Sequence, residues 1–333
     1  MKNEFLTVNQ AAALIHEGKV MLVAGAAGLL AGLPRGRWIG GSTPYFMTST
    51  GGVKDRAHLF CTIIDEAADA RIETIGPDEL PRLTENRFEN GFSYVLVPAF
   101  SAVHQRFALE APALDGLYNQ PVLGWVTGVD LDELGKTAPV AVDGRTGDAH
   151  TDRLVVMRVA LPATQQAELD IINLFTQGEG DEITFPATGF SAAECLVNGA
   201  PRNFAAYLRE VQANQALPLV ANYAGAMINV SFQAVHDERV EFYAPVVAGR
   251  HYRLAAPVGD YAAAYGSHCG AQAGGAALSF NCILNYLYAA LEGKMTAGFV
   301  GPVTFGEIAY ILLNQTLVRL DLVSVSALAE AGV

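Results

Sequence analysis

Charge is scarce in this chain. Only 17% of its 333 residues are charged against 51% hydrophobic, a balance that excludes a disordered polymer and requires a large buried body. Positive charge is the scarcer sign: Lys+Arg 21 against Asp+Glu 34 leaves a formal net charge of -13, which disfavours phosphate backbones and anionic lipid surfaces. Neither nucleic acid nor membrane is therefore expected as a partner. Cysteine is also sparse. Cys61, Cys195, Cys269 and Cys282 lie far apart and form no C-x-x-C pair or zinc spacing, the usage of reduced thiols in a cytoplasmic protein. The longest apolar run, residues 20–33, is interrupted by Gly25, Gly28 and Gly32 and falls short of the roughly 20 residues a membrane span needs. Glu4, His16, Glu17 and Lys19 precede it without the compact basic segment of a signal peptide, so a cytoplasmic location is expected. The stock catalytic motifs G-x-x-x-x-G-K-[ST], H-E-x-x-H and G-x-S-x-G are missing. The glycines of GAAGLLAG are spaced G-x-x-G-x-x-x-G, and no acidic residue follows until Asp55, so they do not make a dinucleotide fingerprint.

What is present reads as a mixed α/β protein. Residues 9–18 have helical spacing, and the apolar run 19–24 predicts a strand buried on both faces. Strands are predicted at 37–39, 58–64, 91–99, 120–127 and 153–161, and a helix at 101–110 capped by Ser101. In the second half, helices are predicted at 200–212 and 278–291, two or three strands within 220–247, and closing strands at 297–304 and 315–323.

Two segments resemble each other. PAFSAVHQRFALEA followed by PVLGWVTG and RLVVMRVAL parallels LSFNCILNYLYAALEG followed by GFVGPVTFGE and TLVRLDLV. Phe100 aligns with Phe280, Gly124 with Gly301, and Val126-Thr127 with Val303-Thr304. The order of elements, helix, Gly-x-Val-Thr strand end, loop and valine-rich strand, predicts an internal duplication. Two similar lobes, 1–165 and 166–333, with mixed sheets flanked by helices would then enclose a ligand cleft between them.

The C-terminal stretch VGPVTFGEIAYILLNQTLVRLDLV resembles the closing motif of FIST domains, with its Gly-Glu-Ile turn and Asn-Gln-Thr strand entry. ECLVNGAPRNFAAYLRE is similar to that family's helix entry, and WIGGSTPYF to its first Gly-Gly-Ser/Thr turn, although Pro44-Tyr45-Phe46 departs from the family pattern. The resemblance implies a FIST N-terminal-like lobe and a FIST C-terminal-like lobe that act as a ligand-sensing module in signal transduction. Its expected ligand is a small molecule such as an amino acid or metabolite. The two lobes use nearly the whole chain, so the module is expected to lack its own output domain and to signal through a separate protein.

The candidate ligand contacts follow from these motifs. They are Ser42 and Thr43 in the first turn, Trp125 and Thr127 at one repeat strand, Thr304 and Glu307 at the other, and Asn281, His268 and Cys269. Glu307 lies in the apolar context VTFGEIAYILL, so it must be paired, either in the first turn of a helix running to Leu313 or against a ligand amine. Asn281 reads as a helix cap. Ser267-His268-Cys269-Gly270 holds the chain's only adjacent His-Cys pair, in a stretch read as a glycine-rich loop. No cofactor or metal is required. A haem on His268, as in the nitric-oxide sensors of the resembled family, is one rival reading. A hydrolase using Cys269 is the other, although adjacent residues are a poor nucleophile–base pair.

Overall fold

The computed structural model describes residues 1–223, 225–271 and 276–325. It is a mixed α/β protein in which one arrangement of strands occurs three times. Each occurrence has an edge strand, a helix, a strand, a second helix, a strand parallel to the one before, a hairpin, and a returning strand. The returning strand inserts antiparallel between the edge strand and the first parallel strand. In the first unit the edge strand is Lys2–Leu6, the parallel pair is Met21–Gly25 with Trp38–Ser42, and the returning strand is Leu59–Ile63. The corresponding strands of the second unit are Asp69–Ile75, Gly91–Pro98 with Val122–Thr127, and Leu154–Ala160. Those of the third are Gln165–Asn173, Leu278–Cys282 with Gly301–Thr304, and Thr316–Ser324.

The hairpins lock the units together. Strands Tyr45–Thr48 and Gly51–Lys54 of the first unit complete the sheet of the third. Strands Ala141–Asp143 and Asp148–His150 of the second complete that of the first. Strands Glu307–Ala309 and Ile311–Leu313 of the third complete that of the second. Three six-stranded sheets of identical order and direction result, related by a cyclic exchange. Their inner faces meet in one core, to which Leu22 and Phe60, Tyr94 and Trp125, and Phe280 and Val318 all contribute. Each outer face carries its own helices over a separate core: Ile15 and Leu30, Phe107 and Leu80, or Tyr265 and Ile283. Sheets covered on both faces need apolar residues at successive positions, which is why the parallel strands read as unbroken apolar runs.

Between the third unit's edge strand and the remainder of that unit lies a long insertion. Its strands, from Ile183–Thr184 to Tyr252–Leu254, form a six-stranded and a three-stranded antiparallel sheet around Phe185, Phe204, Phe242 and Tyr252.

Several local expectations hold. The first helix is Val8–His16, capped by Thr7 through a capping box with Gln10. Ser101 caps Ala102–Glu110 as expected. Other expectations are corrected. The segment read as one helix at 278–291 is a fully buried strand, Leu278–Cys282, followed by a short helix, Ile283–Tyr288. Asn281 is therefore a strand residue and caps nothing. Residues 200–212 divide into strand Ala200–Asn203 and helix Phe204–Glu210. No helix runs from Glu307 to Leu313: a hairpin stands there, turning at Tyr310.

The repetition is threefold rather than twofold. The two segments matched in the sequence belong to the second and third units, and Gly124 and Gly301 do hold the same register, opposite Val95 and Ser279. Phe280, by contrast, corresponds to Leu96, because Phe100 lies beyond its strand. The boundary near residue 165 falls between units. The halves on either side are nevertheless interlocked by exchanged hairpins in two sheets and are not separable lobes.

Candidate functional site

The parallel strand pairs of the second and third units end on the same side of the molecule, and the insertion covers these ends. Here a cavity of about 200 Å³ opens between the first and second halves of the chain. The carboxyl ends of parallel strands are where open α/β sheets ordinarily hold ligands, because the chain must leave the sheet there and vacates space. Ala99 and Phe100 follow the second unit's first parallel strand, and Cys282, Ile283 and Leu284 mark the corresponding strand end in the third. Phe305 follows Thr304, while Phe190, Phe242 and Tyr243 come from the insertion. Among the described residues, no Lys, Arg, Asp or Glu lines the cavity.

Its rim is apolar and open. Phe100 is 54% exposed, and Leu134 and Leu287 are exposed beside it. Phe100 also has a left-handed backbone, φ 60°, which costs a bulky side chain free energy, and its ring packs edge-on against Phe305 at 6.3 Å. That backbone brings its N–H back to Nδ1 of His104 at 3.3 Å.

His104 is the one imidazole in the wall. It stands on the inner face of the helix Ala102–Glu110, with its ring 5.9 Å from that of Phe190. Burial pushes it down to about 4, so the ring is neutral at physiological pH. Since Nδ1 accepts from Phe100, the proton resides on Nε2, and Nε2 is buried without a partner. A second orphan lies in the same wall. Asn314 donates through Nδ2 to the carbonyl of Leu313 at 3.0 Å, and its Oδ1 has no donor.

Of the residues singled out in the sequence, Asn281, Thr304 and Glu307 lie within two positions of residues that line this cavity, but they serve other roles. Thr304 Oγ1 donates to Glu307 Oε1 at 2.8 Å, and Oε2 accepts from the Thr316 hydroxyl at 2.9 Å and from its N–H at 3.3 Å. Glu307 is completely buried, and burial outweighs these bonds to push its carboxyl up to about 8. The Gly-Glu-Ile and Asn-Gln-Thr elements of the motif thus tie the third unit's hairpin to its returning strand. Asn281 Oδ1 accepts from the Tyr265 hydroxyl at 2.7 Å and from Asn285 at 3.1 Å. Trp125 donates to the Tyr94 hydroxyl at 2.8 Å and lies against Gly41, where a β-carbon would fall 2.4 Å from the indole.

Thr43, Thr127 and Thr304 hold the same place in the three units, two residues beyond Gly41, Trp125 and Pro302. Thr43 donates to the Val303 carbonyl at 2.7 Å, whereas the buried Thr127 hydroxyl has no partner. Ser42 and Thr43 border a second cavity, of about 160 Å³, with Arg56 and Asp130. His268 and Cys269 lie on a helix, Tyr261–Ala271, rather than in a loop, and neither lines either of these two cavities. Residues 272–275 of the stretch read as a loop lie outside the described residues. Cys269 is buried, and burial pushes its thiol up to about 11, the reverse of activation.

Sequence reasoning missed His104 and the aromatic wall. Phe305 and Cys282 are immediate neighbours of Thr304 and Asn281, and Asn314 opens the Asn-Gln-Thr element, so the signal was displaced by a residue. Nothing local marks His104 as buried. The chain belongs to a protein family of unknown function, DUF6976, whose model matches residues 6–323. No curated protein and no solved structure matches it. Among the described residues no helix is long and apolar enough to cross a membrane.

Proposed function

We propose that this protein binds a small molecule in the cavity at the strand ends and acts as a ligand-sensing module, passing the bound state to a separate signalling protein in the cytoplasm. The observation that carries this reading is the cavity itself: apolar, open at one side, floored by two of the three units and covered by the insertion. A ligand seated there touches both the body and the insertion, so its binding free energy biases how the two are held together. The resemblance to FIST domains points the same way.

The test is ligand capture. Native mass spectrometry of the purified protein, followed by calorimetric screening of metabolites, should find a bound small molecule. Leu134→Trp and Leu287→Trp, at exposed rim positions, should weaken its binding at least tenfold. A ligand that binds both variants as tightly as the wild type lies elsewhere and overturns the assignment of this cavity. A screen in which nothing binds counts against the reading itself.

A further inference from the structure

We infer that the cavity selects an uncharged, mainly apolar molecule carrying a carboxamide-like group, whose carbonyl accepts from His104 Nε2–H and whose N–H donates to Asn314 Oδ1. This rests on the cavity being a ligand site. It goes further by fixing the chemical class.

Three observations converge. Two residues that line the cavity each hold a buried polar atom without a partner, one a donor and one an acceptor. Each has its identity fixed from the other side of its own group. The Phe100 N–H occupies His104 Nδ1, leaving the proton on Nε2, and the Leu313 carbonyl occupies Asn314 Nδ2, leaving Oδ1 as an acceptor. Neither atom presents accessible surface in this structure, so an occupant meets them by drawing the two side chains slightly toward the cavity. A buried donor or acceptor left unmade is costly, and such groups are normally satisfied. An occupant that presses against the wall with one acceptor and one donor satisfies both.

The rest of the lining excludes charged alternatives. A carboxylate or an ammonium group would leave water and meet no Lys, Arg, Asp or Glu among the described residues of the wall. His104 does not supply a positive charge near neutral pH, because burial holds it deprotonated. A free amino acid, zwitterionic at neutral pH, is therefore disfavoured within the wider class of small metabolites. The aromatic side chains of Phe100, Phe190, Phe242 and Phe305 suit a flat apolar body.

Four probes of one size separate the possibilities: benzamide, acetophenone, ethylbenzene and benzoate, titrated calorimetrically into the full chain. Benzamide should bind best, acetophenone roughly fivefold more weakly, and ethylbenzene roughly fivefold more weakly again, the effect of one net hydrogen bond at each step. Benzoate should not compete. His104→Phe should bring benzamide and acetophenone down by about fivefold while leaving ethylbenzene unchanged, and Asn314→Leu should weaken benzamide alone. Nitrogen NMR of the wild-type imidazole gives a second readout that needs no variant. The Nε2 resonance should be that of a protonated nitrogen and should move with benzamide and acetophenone but not with ethylbenzene. Tighter binding of benzoate than of benzamide, or equal loss of all probes in both variants, overturns the inference and leaves the cavity as a ligand site. Failure of all four probes overturns the inference. If nothing from the metabolite screen binds either, the small-molecule reading falls with it.

Discussion

Gly124 and Gly301 occupy the same position in two different sheets, each so close to its parallel neighbour that a β-carbon would fall 1.9 Å from the Val95 carbonyl oxygen or 1.8 Å from that of Ser279. Their φ angles are 149° and 159°. The Gly-x-Val-Thr likeness in the sequence records this contact between strands. Gly124→Ala and Gly301→Ala should each cost about 3 kcal/mol or more, read by urea denaturation, because backbone on the neighbouring strand must move. Gly28→Ala, in a helix with open space around it, should be neutral or slightly stabilising. Equal effects at all three positions would contradict the close approach.

Glu307 sets a pH dependence of stability. Its carboxyl is raised from 4.5 to about 8 in the folded protein by burial, so between those values the folded state holds a proton that the unfolded state has released. Stability should therefore fall as pH rises through this window, by several kcal/mol in all, with no contribution below pH 4.5 and the full cost above 8. Glu307→Gln should flatten the profile between pH 4.5 and about 8. Retention of the full slope in that variant would assign the dependence to another group.

Asp130 anchors the loop after the second unit's parallel pair. It is buried, and its carboxylate meets the Lys54 ammonium at 2.8 Å and the Arg56 guanidinium, with the Tyr45 hydroxyl at 3.3 Å. Burial alone would raise its carboxyl, but the hydrogen bonds from Lys54 and Arg56 outweigh it and hold the group well below the ordinary value. Asp130→Ala should destabilise the protein by about 3 kcal/mol in chemical denaturation, since it leaves the buried Tyr45 hydroxyl without its acceptor and removes the buried carboxylate shared by two cations, which keep only the more exposed Asp132 and Glu133. A change below about 0.5 kcal/mol would place the pair among weak surface contacts.

The four cysteines are free and buried. Burial pushes the Cys61 thiol up to about 12 and that of Cys195 to about 11. A thiol-reactive aromatic disulfide should label none of them rapidly in the folded protein and all four in denaturant. Labelling should track opening of the structure. Fast stoichiometric labelling of Cys269 in the native protein would instead revive a thiol-based activity.

Much of the strand pattern was legible because buried parallel strands leave unbroken apolar runs bounded by glycine or polar turns, as at 91–99 and 153–161. Leu278–Cys282 was misread because an apolar strand running straight into an apolar helix looks like one longer helix. The third occurrence of the unit was hidden for a related reason. Gly40-Gly41-Ser42-Thr43 keeps the register of Gly-Trp-Val-Thr and Gly-Pro-Val-Thr, but Gly41 has given up its side chain to the Trp125 indole. Glu307 was correctly expected to be buried and paired, yet its partners, Thr304 and Thr316, come from strands on either side of a hairpin that was read as a helix.

By itself the sequence determined that this is a mixed α/β protein with a large core, few charges, and a strand-end motif used more than once. Composition, periodicity and glycine placement are local quantities, and these properties follow from them. Only the tertiary structure decided that the motif occurs three times, that hairpins pass from unit to unit, and that His104 and Asn314 share one cavity wall although 210 positions apart. Those facts depend on which strand pairs with which across long loops. Interchangeable apolar residues do not specify such pairing one segment at a time; the whole chain selects it by burying both faces of every sheet at once.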